Sequence, residues 1–249
     1  MIEIFHIILQ VLIFFLIFSV TPVSLKNKIF NSNNLLLSEN IVFNFILHSN
    51  YILILFDLNL NINEISIIYL ISILVIYILF FKNHFKKKQL FRKNNLYEFI
   101  IIFIVSFVIF IDVGNKLILS WDAQKFWLDK SLNFYNEFSI DNLQNISRPH
   151  YPFLGPLLNS LYWKISFLSE EYAGRLIFGF IYCSSIFLLI NNLILSKIYK
   201  VIFFSFFLLI TYDYFLIMSG NQEILIFSII SIVLNSFYKI RTNQKNNLI

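Results

Sequence analysis

Two carboxylates and one guanidinium in this sequence, Asp122, Glu223 and Arg148, are of the types that suit proton transfer beside a phosphate group. Asp122 lies in "LSWDAQKFWLDKSLNFYNEF", residues 119–138. There, ten consecutive positions from Trp121 to Lys130 hold two tryptophans, two aspartates and two lysines. Arg148 belongs to "SRPHYPFLGPLL", residues 147–158, with His150 and Tyr151 beside it and prolines at 149, 152 and 156. Three prolines in so short a stretch make a stiff, poorly helical backbone. Such a backbone suits a binding site as well as it suits a plain turn. Glu223, in "SGNQEILIF", stands where an apolar run begins. A carboxylate meeting hydrocarbon is costly without a partner or a task, although the dipole of a starting helix also favours an acid there, by ~0.3–1 kcal/mol.

The elements that position these residues must live in lipid. The chain has 249 residues, 58% of them hydrophobic and 13% charged, with a mean hydropathy of +0.75. A soluble domain of that size cannot hide so much apolar surface. Runs long enough to cross a bilayer, at ~20 residues with wide tolerance, appear at Ile4–Val20, Ile41–Leu58, Ile65–Phe81, Tyr97–Val113, Tyr172–Leu195, Val201–Met218 and Ile224–Tyr238. The second is weakened by His48, Ser49 and Asn50. A further apolar stretch, Phe153–Leu168, contains Gly155, Pro156 and Lys164 and reads as interfacial. Ile4–Val20 lacks a basic flank and a small-residue cleavage site, so it reads as a span rather than a signal peptide. The single cysteine, Cys183, excludes an intrachain disulfide.

The net charge of +5 would point a soluble protein toward nucleic acid. In this chain the cations read as topology signals instead, and no nucleic-acid partner is expected. Lys26 and Lys28 follow the first run. Lys82, Lys86, Lys87, Lys88, Arg92 and Lys93 crowd the third link, Lys197 and Lys200 follow the fifth run, and Lys239, Arg241 and Lys245 sit in the tail. With seven spans all four clusters share one side, which makes it cytoplasmic. The N-terminus and the loop 114–171 then face outward, and the C-terminus is cytoplasmic. The expected architecture is an all-α polytopic membrane protein of about seven transmembrane helices with one long external loop. Residues 1–96 form a three-span region with its basic link, 97–238 the core that carries the loop, and 239–249 a tail. Read as a helix capped by Ser120, the loop segment aligns Trp121, Leu128, Leu132 and Tyr135 on one stripe. Asp122, Lys125, Phe126 and Asp129 fall on another face. That is an amphipathic helix for the outer membrane surface, with tryptophan at headgroup depth.

The order of these motifs resembles a known family. Trp121-Asp122-Ala123, with Trp127 and Lys130, resembles the opening of the first large external loop in bacterial C-type superfamily membrane glycosyltransferases, the protein-mannosyltransferase-like group. His150 to Leu158 looks like their proline-rich element, Ser169 to Phe180 like their acidic-to-arginine entry into the next span, and Ser219 to Glu223 like a later glycine-to-acid motif. His150 and Glu223 stand where that family usually has aspartate. Three spans precede the loop where many members have one, and the chain stops after the seventh, so the resemblance is to a short or truncated member. It implies a bacterial inner-membrane enzyme that transfers a sugar, with inversion, from a polyprenyl-phosphate donor to a glycan, lipid or protein acceptor at the outer face. Asp122 would be the general base. Arg148, Lys130 or Arg175 would neutralise the departing phosphate. Trp127, His150 and Tyr151 would line the sugar site, and Glu223 would hold the acceptor, a divalent ion or Arg175. The sequence assigns no cofactor, since no cluster at metal-ligand spacing is present and no glycine-rich loop offers a home to a soluble nucleotide sugar.

Two other readings compete. Asp213 inside the sixth run could belong to a transporter's polar pathway, although the broken, repeated spans of many transporters are missing. A non-catalytic membrane scaffold would tolerate loss of Asp122. The topology is tested first by cysteine labelling in a Cys183→Ser background. Asn142→Cys is expected to react with a membrane-impermeant thiol reagent in intact cells, and Gln89→Cys is not. The reverse pattern would place the loop on the cytoplasmic side.

Overall fold

The structure is a computed structural model that describes residues 4–20, 36–84, 93–117, 119–146, 148–193, 195–214 and 224–246. Among the described residues it is all-helical. The helices are α1 (Ile4–Ser19), α2 (Leu37–Asp57), α3 (Ile62–His84), α4 (Lys93–Lys116), α5 (Leu128–Tyr135), α6 (Leu154–Lys164), α7 (Tyr172–Asn191), α8 (Lys197–Tyr214) and α9 (Ile224–Asn246). A π-helical turn, Ala123–Trp127, leads into α5, and a 3-10 turn, Ile140–Asn145, follows it.

Among the described residues, four helical segments are long and apolar enough to cross a bilayer: Leu37–Asp57, Ile62–Leu79, Leu96–Asn115 and Tyr172–Asn191. Ile4–Ser19 and Ile224–Lys239 are shorter apolar helices. The side chains show what surrounds the bundle. Ile67, Leu70, Ile71, Leu74 and Ile78 of α3, Ile100, Ile104 and Val108 of α4, and Phe203, Phe206 and Ile210 of α8 all lie exposed. Apolar belts of that extent need lipid. α7 is the opposite case, with nearly every residue from Tyr172 to Ile190 buried, and α2, α4, α6, α8 and α9 pack around it.

Polar residues within the bundle sit where helices join. α1 has only 16 residues, ~24 Å at 1.5 Å per residue, and carbonyls of its last turn take side-chain donors from neighbouring helices. Asn44 Nδ2 donates to the Phe18 carbonyl at 2.6 Å, and the Tyr77 hydroxyl donates to the Leu16 carbonyl. Both bonds satisfy groups that hydrocarbon cannot.

At one end of the bundle two buried carboxylates tie five helices together. Glu98 of α4 accepts from the Ser38 amide and hydroxyl of α2, each at 2.9 Å, and from Asn191 Nδ2 of α7 at 2.8 Å. Lys200 of α8 donates to the Asn191 carbonyl at 2.7 Å. Glu39, fully enclosed, takes Lys239 Nζ of α9 at 2.5 Å and Asn235 Nδ2 at 2.9 Å. At the opposite end the turn between α2 and α3 meets the segment after α5, through Asn59 Nδ2 to Asp141 Oδ2 at 2.5 Å and Asn63 Nδ2 to Glu137. The long loop and the described lysines at 197, 200 and 239 therefore occupy opposite ends.

The stretch 153–168 departs from its interfacial expectation. Within α6, every residue from Gly155 to Tyr162 is buried, whereas a surface helix keeps one face open. The Tyr162 hydroxyl meets the Tyr69 hydroxyl at 3.1 Å, and Tyr69 in turn meets His48 Nδ1 at 2.9 Å. Tyr69 lies seven residues into α3, ~10 Å along its axis. α6 is thus a short helix tucked into the loop end of the bundle, fixed by a buried tyrosine–tyrosine–histidine chain.

Glu39 is enclosed while Lys239 is a third exposed, so removing the lysine leaves the carboxylate with only the Asn235 amide, a loss below the ~3–5 kcal/mol of a fully buried pair. Lys239→Met is expected to lower the thermal unfolding midpoint in detergent markedly, and Glu39→Gln added to it is expected to restore much of the loss. A Lys239→Met variant as stable as the parent chain would show that the pair contributes nothing to holding α9.

Candidate functional site

The site grows from the start of the loop. Ser120 does cap the helix, since its Oγ accepts the Ala123 amide at 3.2 Å. The next turn is π-helical, with the Leu128 amide reaching back to the Ala123 carbonyl. A wider turn shifts the register of everything after it. The inward row becomes Ala123, Phe126, Lys130, Ser131 and Phe134, all buried. Trp121 and Leu132 of the anticipated stripe are exposed, while Leu128 and Tyr135 are half-buried. Phe126 leaves the face it was expected to share with Asp122 and Lys125, both of which are exposed.

Facing that row is the proline-rich turn. The Tyr151 amide donates to the Arg148 carbonyl at 3.1 Å, and Arg148 itself has φ of 55°. This left-handed conformation is uncommon outside glycine. Proline at 149 and again at 152 leaves the backbone few alternatives. The tight turn brings Arg148, His150 and Tyr151 together.

The Arg148 guanidinium lies 3.9 Å above the Phe126 ring and 5.5 Å from the Tyr151 ring. Tyr151 meets Phe126 edge-on at 5.4 Å, Trp127 at 6.5 Å and His150 edge-on at 5.0 Å. Trp121 packs edge-on against Phe126 at 5.5 Å. Arg148 and His150 are exposed, so the cluster presents one fixed guanidinium and one imidazole over an aromatic floor.

Lys130 plays a different part from the one its position in the motif implies. It has 0% relative exposure, and its Nζ donates to the Tyr151 carbonyl at 2.9 Å. Burial pushes its pKa below the usual lysine range, while Asp129 beside it works the other way. A lysine enclosed in this way holds the turn rather than greeting a ligand.

The structure thus brings Trp127, Lys130, Arg148, His150 and Tyr151 into one cluster. Asp122 is exposed at the start of the π turn, beside Trp121 and Ala123 in sequence. Arg175 is not part of the cluster. It is buried at the head of α7, paired with Glu171 at 3.2 Å. Glu223 lies outside the described residues, as do Lys26, Lys28 and Lys86 to Arg92 of the basic links. Phe126 is the central ring that sequence spacing misplaced, and only the density of aromatic residues around Trp121 and Trp127 pointed to such a floor. No family model, characterised protein or solved structure matches this chain.

The lowered pKa of Lys130 carries a sign. The unfolded chain holds the proton to higher pH than the folded one, so folding stability rises as pH climbs from the folded value toward the ordinary lysine value. The burial cost is present in full below the folded value. Lys130→Met is expected to flatten this alkaline rise in unfolding midpoint relative to the parent chain. Parallel pH profiles for the two proteins would mean that Lys130 is charged and comfortable in both states.

Proposed function

We propose that this membrane protein is a glycosyltransferase of the C-type superfamily kind, moving a sugar from a polyprenyl-phosphate donor to an acceptor at the outer face of the membrane, with inversion. The observation that carries the proposal is the cluster of Arg148, His150, Tyr151, Trp127 and Phe126 at the loop end of a lipid-exposed bundle. Each part suits one piece of such a donor. The apolar flanks of the bundle accommodate a polyprenyl chain arriving through the bilayer. The guanidinium fork suits a phosphate, which it can meet with two parallel hydrogen bonds. Aromatic rings offer faces to a sugar, and His150 offers a hydrogen bond at the exposed edge.

Within this reading the exposed Asp122 takes the proton from the acceptor hydroxyl, on the side of the sugar opposite the leaving phosphate, as inversion requires. Arg148 receives the negative charge that develops on the departing phosphate. Lys130 holds the turn that carries Arg148, and Arg175 pairs with Glu171 at the head of α7.

Asp122→Asn tests the assignment, because asparagine nearly preserves size and hydrogen bonding but cannot accept the proton. Sugar transfer from a polyprenyl-phosphate donor in membranes is expected to fall by ~10²–10⁴-fold, with insertion and unfolding midpoint unchanged. Undiminished transfer by Asp122→Asn would remove the general base. No transfer by the unsubstituted chain, over a panel of donors, would remove the enzyme.

A further inference from the structure

Beneath the cluster a polar chain crosses three helices. Ser131 Oγ donates to the Trp127 carbonyl at 2.9 Å and accepts from Asn159 Nδ2 at 3.1 Å. The other proton of that amide points to Glu171 Oε1 at 3.3 Å. The second oxygen of Glu171 pairs with Arg175 Nε at 3.2 Å. One position along α6, Ser160 Oγ reaches the Ser131 carbonyl at 2.6 Å. Next to Ser131, Lys130 continues to the Tyr151 carbonyl. Ser131, Asn159, Ser160 and Arg175 are all buried.

The chain depends on a close approach of α6 and α7. A Cβ on Gly174 would stand 2.0 Å from Asn159 Oδ1 and 2.2 Å from the Asn159 carbonyl oxygen. A side chain at 174 would have to push α6 away, because one of the atoms it meets is backbone. Glycine between Glu171 and Arg175 therefore lets one amide reach both a carboxylate on α7 and a hydroxyl on α5.

We propose that Asn159 is a positioning residue for the loop site. It fixes the Trp127–Lys130 segment to the first turn of α7, and through Lys130 it fixes the Arg148–Tyr151 turn above. The chemistry is specific. Asn159 supplies both protons from one nitrogen, Ser131 passes on its own proton, and Glu171 divides its two oxygens between an amide and a guanidinium. An apolar residue of equal volume would fill the space but would leave the buried Ser131 without its donor and Glu171 with Arg175 alone. In its activity arm alone, the proposal rests on the transferase reading.

The test is a swap of donor and acceptor, read by tryptophan emission from Trp127 in a Trp121→Phe/Trp163→Phe background, in detergent without substrate. Asn159→Asp removes both donated protons and sets a second carboxylate opposite Glu171, so the Trp127 emission is expected to shift. kcat/KM for the polyprenyl-phosphate sugar is expected to fall about fivefold, the scale of one net hydrogen bond, with kcat sharing the loss because the displaced Arg148 also meets the charge developing on the phosphate. N159D/E171Q leaves the net charge as it was in the parent chain and restores the 159–171 pair with its direction reversed, while the Ser131 hydroxyl can turn its proton to the new carboxylate and keep the joint to α5, so emission and kcat/KM are expected to return toward the parent values. An unshifted emission in folded N159D, or losses that simply add in the double variant, would overturn the proposal. Should N159D fail to insert, Ser131→Ala breaks the next joint with a smaller change, and an unshifted emission there would overturn it equally. Failure of the transferase reading looks different, with no transfer by the parent chain while the emission still reverses in the swap.

Discussion

The absence of water from hydrocarbon is the constraint on which this structure depends. A polar group inside the bundle must find its partner within the protein or add several kcal/mol of desolvation cost. The buried side chains obey this by working as joints. Asn44 and Tyr77 close the carbonyl end of α1, Glu98 gathers the ends of α2, α4 and α7, and Glu39 anchors α9 through Lys239. Apolar side chains face both the interior and the lipid, so burial alone says little about which helix lies beside which. The polar joints supply that specificity, and they do so at the two ends of the bundle and along α2.

The same constraint explains which parts of the fold were legible in the sequence. Apolar runs announced the helices, since length and hydropathy are local properties. The run around Ile41–Leu58 looked weak because His48, Ser49 and Asn50 interrupt it. In the structure the helix begins four residues earlier, at Leu37, and its opening turn buries Ser38, Glu39 and Asn40. Hydropathy counts each of these residues against a span, yet Ser38 and Glu39 are met by partners from sequence positions 60 or more residues away. No local measure can see such a partner. The stretch 153–168 shows the converse error, in which glycine, proline and lysine suggested a surface helix. Gly155 and Pro156 are instead part of a buried start to α6, and Lys164 lies at the far end, 4.4 Å above the Tyr135 ring.

The candidate site was legible in its residue types and less so in their roles. Trp127, Arg148, His150 and Tyr151 converge because two motifs ~20 residues apart in sequence face one another; proline made the stiffness of the second readable, but not that it faces the first. The π turn was not readable, since no residue type demands it, and it turns Phe126 and Lys130 inward. Arg175 had seemed a phosphate ligand by its place in a motif. Its burial and its Glu171 partner, one helical turn away, set it to work within the protein.

What remains is the choice between the two cations nearest the aromatic floor. A charge that binds a phosphate must be accessible and must keep hydrogen-bonding capacity for the incoming oxygens. Lys130 is enclosed, its ammonium is committed to the Tyr151 carbonyl, and its surroundings disfavour the charged form. Arg148 is exposed, and its guanidinium carbon lies 3.9 Å from the centre of the Phe126 ring, a contact that uses none of its hydrogen-bond donors. Cation–π contact contributes ~0.5–1 kcal/mol at an exposed site, and it also limits the rotamers a long side chain must give up when a ligand arrives. The buried lysine and the exposed arginine therefore form a hierarchy. Lys130 holds the turn, the turn carries Arg148, and Phe126 lies against the guanidinium.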